Sequence, residues 1–209
     1  MSNPWLAIAL EDYEGHMGSG NVRQLEALSD LFKRALDLCM PESVAILGVA
    51  GGNGLDLVDR ATTKRIVGVD INAQYLQAVR QRYGALAGLE LYCSDLAVEP
   101  LSLVPVDLVH VALVFEHTGL GCCLENALSL VAFGGSLSVV LQLPSETGQD
   151  VTVTRYSSMQ ALRDHFVLID VSQFHQRLEE KGFHLFHQEQ RPLPDGKAFW
   201  LGIFVHGTR

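Results

Sequence analysis

Apolar residues follow two rhythms along the chain. Val22, Leu25, Leu28, Phe32, Ala35 and Leu36 recur at three- and four-residue steps, one stripe of a helix that Pro41 ends. The stretch before it, ALEDYEGHMGSGN, has several glycines and no clear period, which reads as a loop or a short, mobile helix. From Val44 short apolar runs alternate with helical patterns. VAILGV (44–49) precedes glycines and an expected helix; RIVGVD (65–70) precedes NAQYLQAVRQRY, where Leu76, Val79 and Tyr83 share a face. LELYCS (89–94), VDLVHVAL (106–113) and SLSVVLQL (136–143) follow, the last two separated by a helix from about Leu120 to Val131. Runs apolar on both faces and separated by helices predict a parallel sheet covered on both sides.

The end of the chain changes pattern. Val171, Phe174 and Leu178 make a helical stripe closed by Lys181-Gly182. FHLFHQEQ (183–190) and KAFWLGIFVH (197–206) then flank RPLPDG, with Asp195-Gly196 as the turn signal. That loop is too short for a parallel crossover, so the two runs form an antiparallel hairpin. The last run is apolar on both faces and belongs inside the sheet, with 183–190 at the edge. The predicted fold class is α/β: a Rossmann-like, mostly parallel seven-stranded sheet, helices on both faces, and a C-terminal antiparallel hairpin.

Composition narrows the possibilities. At 209 residues the chain fits a single domain, 1–209, read as an N-terminal helical segment (1–40) and a Rossmann-like core (41–209). A hydrophobic fraction of 48% excludes intrinsic disorder. The net charge of −9 repels phosphate backbones, which disfavours nucleic acid or an anionic membrane as the main partner. Cys39, Cys93, Cys122 and Cys123 form no C-x-x-C pair, so neither structural zinc nor a disulfide scaffold is suggested. The N-terminus lacks the basic region of a signal peptide, and the apolar stretches are well short of the roughly 20 residues a membrane span needs. A cytoplasmic location is the expectation.

Ligands of such sheets bind beyond the carboxyl ends of the strands. The first strand ends in LGVAGGNG, where glycines let the backbone approach a ligand. Ala50 breaks the G-x-G-x-x-G pattern, which disfavours NAD or FAD, and the absence of G-K-[ST] excludes a P-loop. The second strand ends in Asp70, whose carboxylate can accept from both hydroxyls of a ribose; capping the helix near Asn72 is the other reading. The third ends in Ser94-Asp95-Leu96, where Asp95 can accept from an adenine amino group beside Leu96, or serve the turn.

Taken in order, these segments resemble the class I S-adenosylmethionine-dependent methyltransferases, of the small-molecule, ubiquinone-biosynthesis type. ILGVAGGNG is similar to their glycine-rich motif, VGVDIN to the ribose-binding strand and CSDLA to the adenine-contacting strand. VDLVHVALVFEH and FGGSLSVVLQ resemble the two strands that follow, and the likeness covers about residues 40–206. It implies S-adenosylmethionine as cofactor, held by Gly48, Ala50, Gly52, Asp70, Ile71, Ser94, Asp95 and Leu96. The chain departs from the family at Ile46, where an acid is usual, and at Ala50, where a glycine is. Glu11, Asp12, Glu14 and Gln24 are candidates to replace the missing acid.

The resemblance also implies a small-molecule methyl acceptor, methylated at oxygen or nitrogen by in-line displacement. Glu116 and His117 are the candidate catalytic pair: His117 as a base near neutral pH, Glu116 only if poorly solvated. A loop or cap histidine is the competing reading of His117. No N/D-P-P-Y motif is present, which disfavours amino-group methylation of adenine, cytosine or glutamine by that arrangement. Tyr13, His16 and Met17 lie in a segment that resembles a lid, facing substrate or packing on the surface. Arg155 and Tyr156, in the long loop PSETGQDVTVTRYSS, are candidates for an anionic or aromatic substrate group. The eight histidines show no metal-ligand spacing. A non-catalytic binder of the same cofactor and an NAD-dependent oxidoreductase are the rival functions.

Overall fold

Strands apolar on both faces close into one seven-stranded sheet in a computed structural model of the chain, which describes residues 3–145 and 151–207. The elements are α1 (Leu10–Met17), α2 (Gln24–Cys39), β1 (Ser43–Leu47), β2 (Arg65–Asp70), α3 (Ala73–Tyr83) and β3 (Leu89–Cys93). They continue with β4 (Val106–Ala112), α4 (Phe115–Thr118), α5 (Cys122–Leu130), β5 (Val131–Gln142), α6 (Val171–Glu180), β6 (Phe183–Pro192) and β7 (Ala198–His206). Short 3-10 segments occupy Pro4–Leu6, Leu55–Leu57 and Ser157–His165.

The strand order is β3-β2-β1-β4-β5-β7-β6. β1 to β5 pair in parallel, and β7 runs antiparallel between β5 and β6. The predicted hairpin is therefore present, with β7 inside and β6 at the edge. Order reverses between β1 and β4, where chains leaving the two strands diverge to opposite sides and open a crevice.

Alternate residues of each strand feed two cores. Val44 and Ile46 of β1 join Leu28, Phe32, Leu76 and Val79 on the α2–α3 side. Ala45 and Leu47 join Leu124, Leu128, Phe174 and Leu178 on the α5–α6 side. Full burial of such a side chain contributes about 1.5–3 kcal/mol, so both faces hold the strand ends rigidly. Asp170 caps α6, its carboxylate accepting from Gln173 N at 2.8 Å.

One expected element is missing. The helix predicted after the glycines of β1 is reduced to the single turn Leu55–Leu57. Gly52 and Gly54 both have left-handed backbones (φ 86° and 85°), which interrupts any helix started there. Leu55 and Val58 still reach the core, but α2 supplies much of the cover on this face, lying over β4 and β5. The segment before residue 41 is thus part of the core as well as of the crevice roof. The loop after β5 also contains the 3-10 segment Ser157–His165; its residues 146–150 lie outside the described residues.

Candidate active site

The carboxyl end of β1 is built by backbone bonds. Val69 O accepts from both Gly48 N and Val49 N, at 2.8 and 3.0 Å, which bends the chain away from β2. Gly48 has φ 76°, and a Cβ there would come within 2.5 Å of Val114 Cγ2. Only glycine fits. Two residues on, Ala50 occupies the same left-handed region at φ 45°, and its N–H donates to Asp70 Oδ2 at 2.9 Å. An L-residue in that region costs about 1–2 kcal/mol, part of which glycine returns through its freer unfolded chain. Ala50→Gly should therefore raise stability by about 1 kcal/mol in denaturant unfolding. A variant less stable than the parent would show that Ala50 is not strained.

Asp70, at the end of β2, is 7% exposed. Burial raises its carboxyl above the ordinary range, against the opposing pull of N–H groups from Asn72, Ala50 and Ile71. Its two oxygens tie both neighbouring turns, Oδ2 accepting from Ala50 and Oδ1 from Asn72 N at 2.9 Å. It is not the cap of α3: that role belongs to Asn72, whose Oδ1 accepts from Gln74 N at 3.0 Å. At the end of β3, Asp95 Oδ1 accepts from Ala97 N at 3.0 Å, so Asp95 serves the turn and also lines the crevice. Ser94 Oγ donates to Glu99 at 2.7 Å, and Leu96 is buried beside them.

The N-terminal segment roofs this crevice and is tied down along its length. Asn72 Nδ2 donates to Trp5 O at 2.8 Å and the Tyr75 hydroxyl to Ile8 O at 3.0 Å. Ser158 Oγ donates to Asp12, Arg82 pairs with Glu14, and His16 Nδ1 lies 2.8 Å from Thr154 Oγ1. Tyr13, His16 and Met17 all face the crevice. Burial and the nearby Asp70 and Glu14 carboxylates hold the Tyr13 hydroxyl above its ordinary range, so it stays a neutral phenol. Of the candidates for the missing acid, Gln24 alone lines the crevice; Asp12 and Glu14 are engaged with Ser158 and Arg82, and Glu11 is exposed.

Beyond β4 the predicted catalytic pair divides. His117 lines the crevice, its ring edge-to-face with Trp5 at 5.0 Å and Phe166 at 5.2 Å. Its Nδ1 is buried without a hydrogen-bond partner, and burial, with His165 nearby, lowers its pKa to about 4. Glu116 stands outside the crevice wall, 1% exposed. Its Oε1 accepts from Gln142 N at 2.9 Å, occupying the donor that β4 leaves behind as it turns away from β5. Oε2 has no partner, and burial raises the carboxyl to about 7. Such an arrangement braces the end of β5 and does not reach a substrate.

Counted out to open solvent at its mouth, the space within the wall is about 1040 Å³. Gly48, Ala50, Asp70, Ile71, Ser94, Asp95 and Leu96 all line it. Gly52 does not: it packs against Tyr83 and Leu55. Arg155 is exposed and donates to the Tyr156 hydroxyl at 2.7 Å, and Tyr156 packs against Ile8, Met159 and Leu162. Both stand outside the main crevice. Sequence reasoning missed Trp5, Phe166, Gln142, Thr152 and Lys197, which also line the wall. They come from irregular segments and strand ends where no periodicity marks a side chain as inward. Among the described residues, no three His, Cys, Asp or Glu side chains gather as a metal site requires, and no helix is long and apolar enough to cross a membrane.

No protein-family model and no curated protein matches the sequence. Solved structures do match its fold. The N-methyltransferase NodS from Bradyrhizobium japonicum WM9, in complex with S-adenosyl-L-homocysteine, superposes with a TM-score of 0.73 at 16% identity, over 99% of this chain and 100% of NodS. Magnesium protoporphyrin IX methyltransferase from Synechocystis PCC 6803, with the same ligand bound, gives 0.69 at 14% identity, over 94% of each chain. The [4+2]-cyclase SpnF gives 0.67 at 12% identity, over 90% of this chain and 84% of its own. The strand order, the antiparallel β7 and these superpositions together identify the fold as the Rossmann-like fold of the S-adenosylmethionine-dependent methyltransferases.

Proposed function

We propose that the chain is an S-adenosylmethionine-dependent methyltransferase acting on a small molecule at oxygen or nitrogen. One observation carries the reading: the ends of three adjacent strands, β1, β2 and β3, open into one cavity with Ala50, Asp70 and Asp95 in its wall. The residues fit the cofactor. Asp70 is a buried carboxylate in a largely apolar wall, as a ribose diol requires, and Asp95 with Leu96 offers an acceptor and an apolar surface to adenine. The tight turn at Gly48 lets backbone approach the ligand, and Gln24 is the polar group nearest in role to the acid replaced by Ile46. When bound, S-adenosylmethionine supplies a methyl group on a positively charged sulfur.

The chain's own contribution is mainly orientation and exclusion of water. Trp5, Tyr13 and Phe166 close the wall around His117. With its pKa near 4, His117 is neutral at physiological pH and can accept a hydrogen bond from an acceptor's O–H or N–H. It holds that proton in line and is a weak base. Glu116 supports β5 from behind.

Hydrogen exchange tests the reading. S-Adenosylhomocysteine should slow amide exchange at 48–50, 70–72 and 94–96 together, since one ligand spans the three strand ends. Protection at one of them alone, or at none, would contradict it.

A further inference from the structure

Aromatic rings run along the cavity as one unbroken series. From centre to centre, Tyr75 lies 6.2 Å from Tyr13, Tyr13 5.8 Å from Trp5, Trp5 5.0 Å from His117, and His117 5.2 Å from Phe166. All of them line the wall, although they come from the N-terminal segment, α3, α4 and the loop after β5. The last three rings meet at steep angles, 90° between Trp5 and His117 and 72° between His117 and Phe166. Backbone ties hold them there. Asn72 anchors Trp5 O, and Val167 N donates to Glu116 O at 2.8 Å, which fixes Phe166 beside His117.

The two ends of the series differ in charge. Burial and, next, the Asp70 carboxylate raise the hydroxyls of both Tyr13 and Tyr75, so that end lies beside the carboxylate assigned to the ribose. At the other end burial, with His165 nearby, lowers His117, and among the described residues no carboxylate opposes it. Met159 and Leu162 pack beside Trp5 and extend the apolar surface. The far end is therefore a corner of three fixed rings without an acid. A cation seated there would lack a counter-charge, and an aliphatic group would forgo ring–ring attraction, a factor of about two to ten per pair beyond burial.

We infer that the methyl acceptor is aromatic, a planar ring seated against Trp5 and Phe166 with its hydroxyl or amino group toward the His117 imidazole. The inference rests on the methyltransferase reading, because it assigns the Asp70 end of the series to the cofactor and leaves the His117 end for the acceptor. Rings already fixed in place lose little freedom on binding, so their attraction for a flat partner is realised as affinity.

β-Naphthol and its saturated counterpart β-decalol serve as probes, with choline as a cation that has no ring. Each is titrated calorimetrically into the full chain at saturating S-adenosylhomocysteine, so that the adenine end is already filled. Decalol is at least as apolar as naphthol, so burial alone would not favour naphthol. Naphthol should bind about fivefold or more tighter than decalol, and choline should not bind. Phe166→Leu and Trp5→Leu keep an apolar side chain and remove the ring. Each should weaken naphthol by about threefold or more, and change decalol and S-adenosylhomocysteine by less than about twofold. Equal binding of naphthol and decalol, equal losses of both in the variants, or unchanged naphthol binding in both variants would overturn the inference. So would binding of choline, or failure of naphthol in a chain that holds S-adenosylhomocysteine. Parallel weakening of naphthol and S-adenosylhomocysteine in both folded variants would assign the rings to the cofactor and overturn it too. Both residues are half-buried. Should either variant not fold, the other variant and the wild-type contrast between naphthol and decalol decide. Failure of S-adenosylhomocysteine to bind the wild type would instead sink the methyltransferase reading, and this inference with it.

Discussion

Asp70→Ala should weaken S-adenosylhomocysteine binding by about 100-fold or more. A buried carboxylate accepting from two ribose hydroxyls makes two charge-assisted hydrogen bonds, each worth about 1.5–3 kcal/mol. The same substitution strips the acceptors from Ala50 N and Asn72 N, which hold the turns after β1 and β2. Leaving those donors unpaired costs about 1–3 kcal/mol each, offset in part by removing a carboxylate that burial already disfavours. A net loss of about 2 kcal/mol is expected, a fall in Tm of about 4–8 °C. Asp70→Asn separates the two effects in part. It keeps an acceptor for one turn and sets an amide NH2 against the backbone N–H of the other, so about half of the stability loss remains, while binding still falls by about tenfold or more. If Asp70→Asn bound S-adenosylhomocysteine as the wild type does, Asp70 would be a structural tie only.

Glu116→Gln should stabilise the chain by an amount that grows as pH rises from about 4.5 to about 7. The Glu116 carboxyl titrates at about 7 in the folded chain against an ordinary 4.5. Folding thus favours its protonated form. That contribution is fully present below about pH 4.5 and is lost as pH rises through 7, a change of about 3 kcal/mol. Glutamine keeps an acceptor for Gln142 N and cannot ionise. The variant should therefore match the wild type near pH 4.5 and exceed it by up to about 3 kcal/mol at pH 8. His110 and His117, lowered to about 3 and about 4, have the opposite slope: their contribution is present above about pH 6.5 and is lost as pH falls. Both chains share them, so they cancel in the comparison. Urea unfolding of both chains from pH 5 to 8 measures the difference. A difference independent of pH would show that Glu116 is not held protonated.

Much of the fold was legible because strand burial and turn chemistry are local signals. VAILGV and VDLVHVAL are apolar on both faces, which only a sheet covered on both sides explains, and Asp195-Gly196 between two such runs marks a hairpin. The helix after β1 was misread for a physical reason. GGNGLDLV carries Leu55 and Val58 three residues apart, but the left-handed backbones of Gly52 and Gly54 prevent the helix, and α2 covers that face from elsewhere in the chain. Strand-end residues such as Asp70 and Asp95 were legible as site residues because topology fixes where strands end.

The acceptor side was less legible because it depends on rotation and on long-range packing. Glu116 and His117 are neighbours on one helical turn, and successive helical residues point about 100° apart. One therefore faces the cavity and the other β5, a choice that adjacency in sequence does not decide. Lys197 follows an Asp-Gly turn, where a lysine ordinarily reaches solvent; here it is buried, with its ammonium donating to Thr152 from the long loop after β5. Arg155, the basic residue that looked available, is exposed and held by Tyr156.

The central claim is that this cavity binds S-adenosylmethionine and its product. Its most direct test is calorimetric titration of S-adenosylhomocysteine into the wild-type chain, with NADH as the contrast. The account predicts one site per chain for S-adenosylhomocysteine, weakened by about 100-fold or more in Asp70→Ala, and no binding of NADH. Binding of NADH alone, or of neither compound, would contradict it.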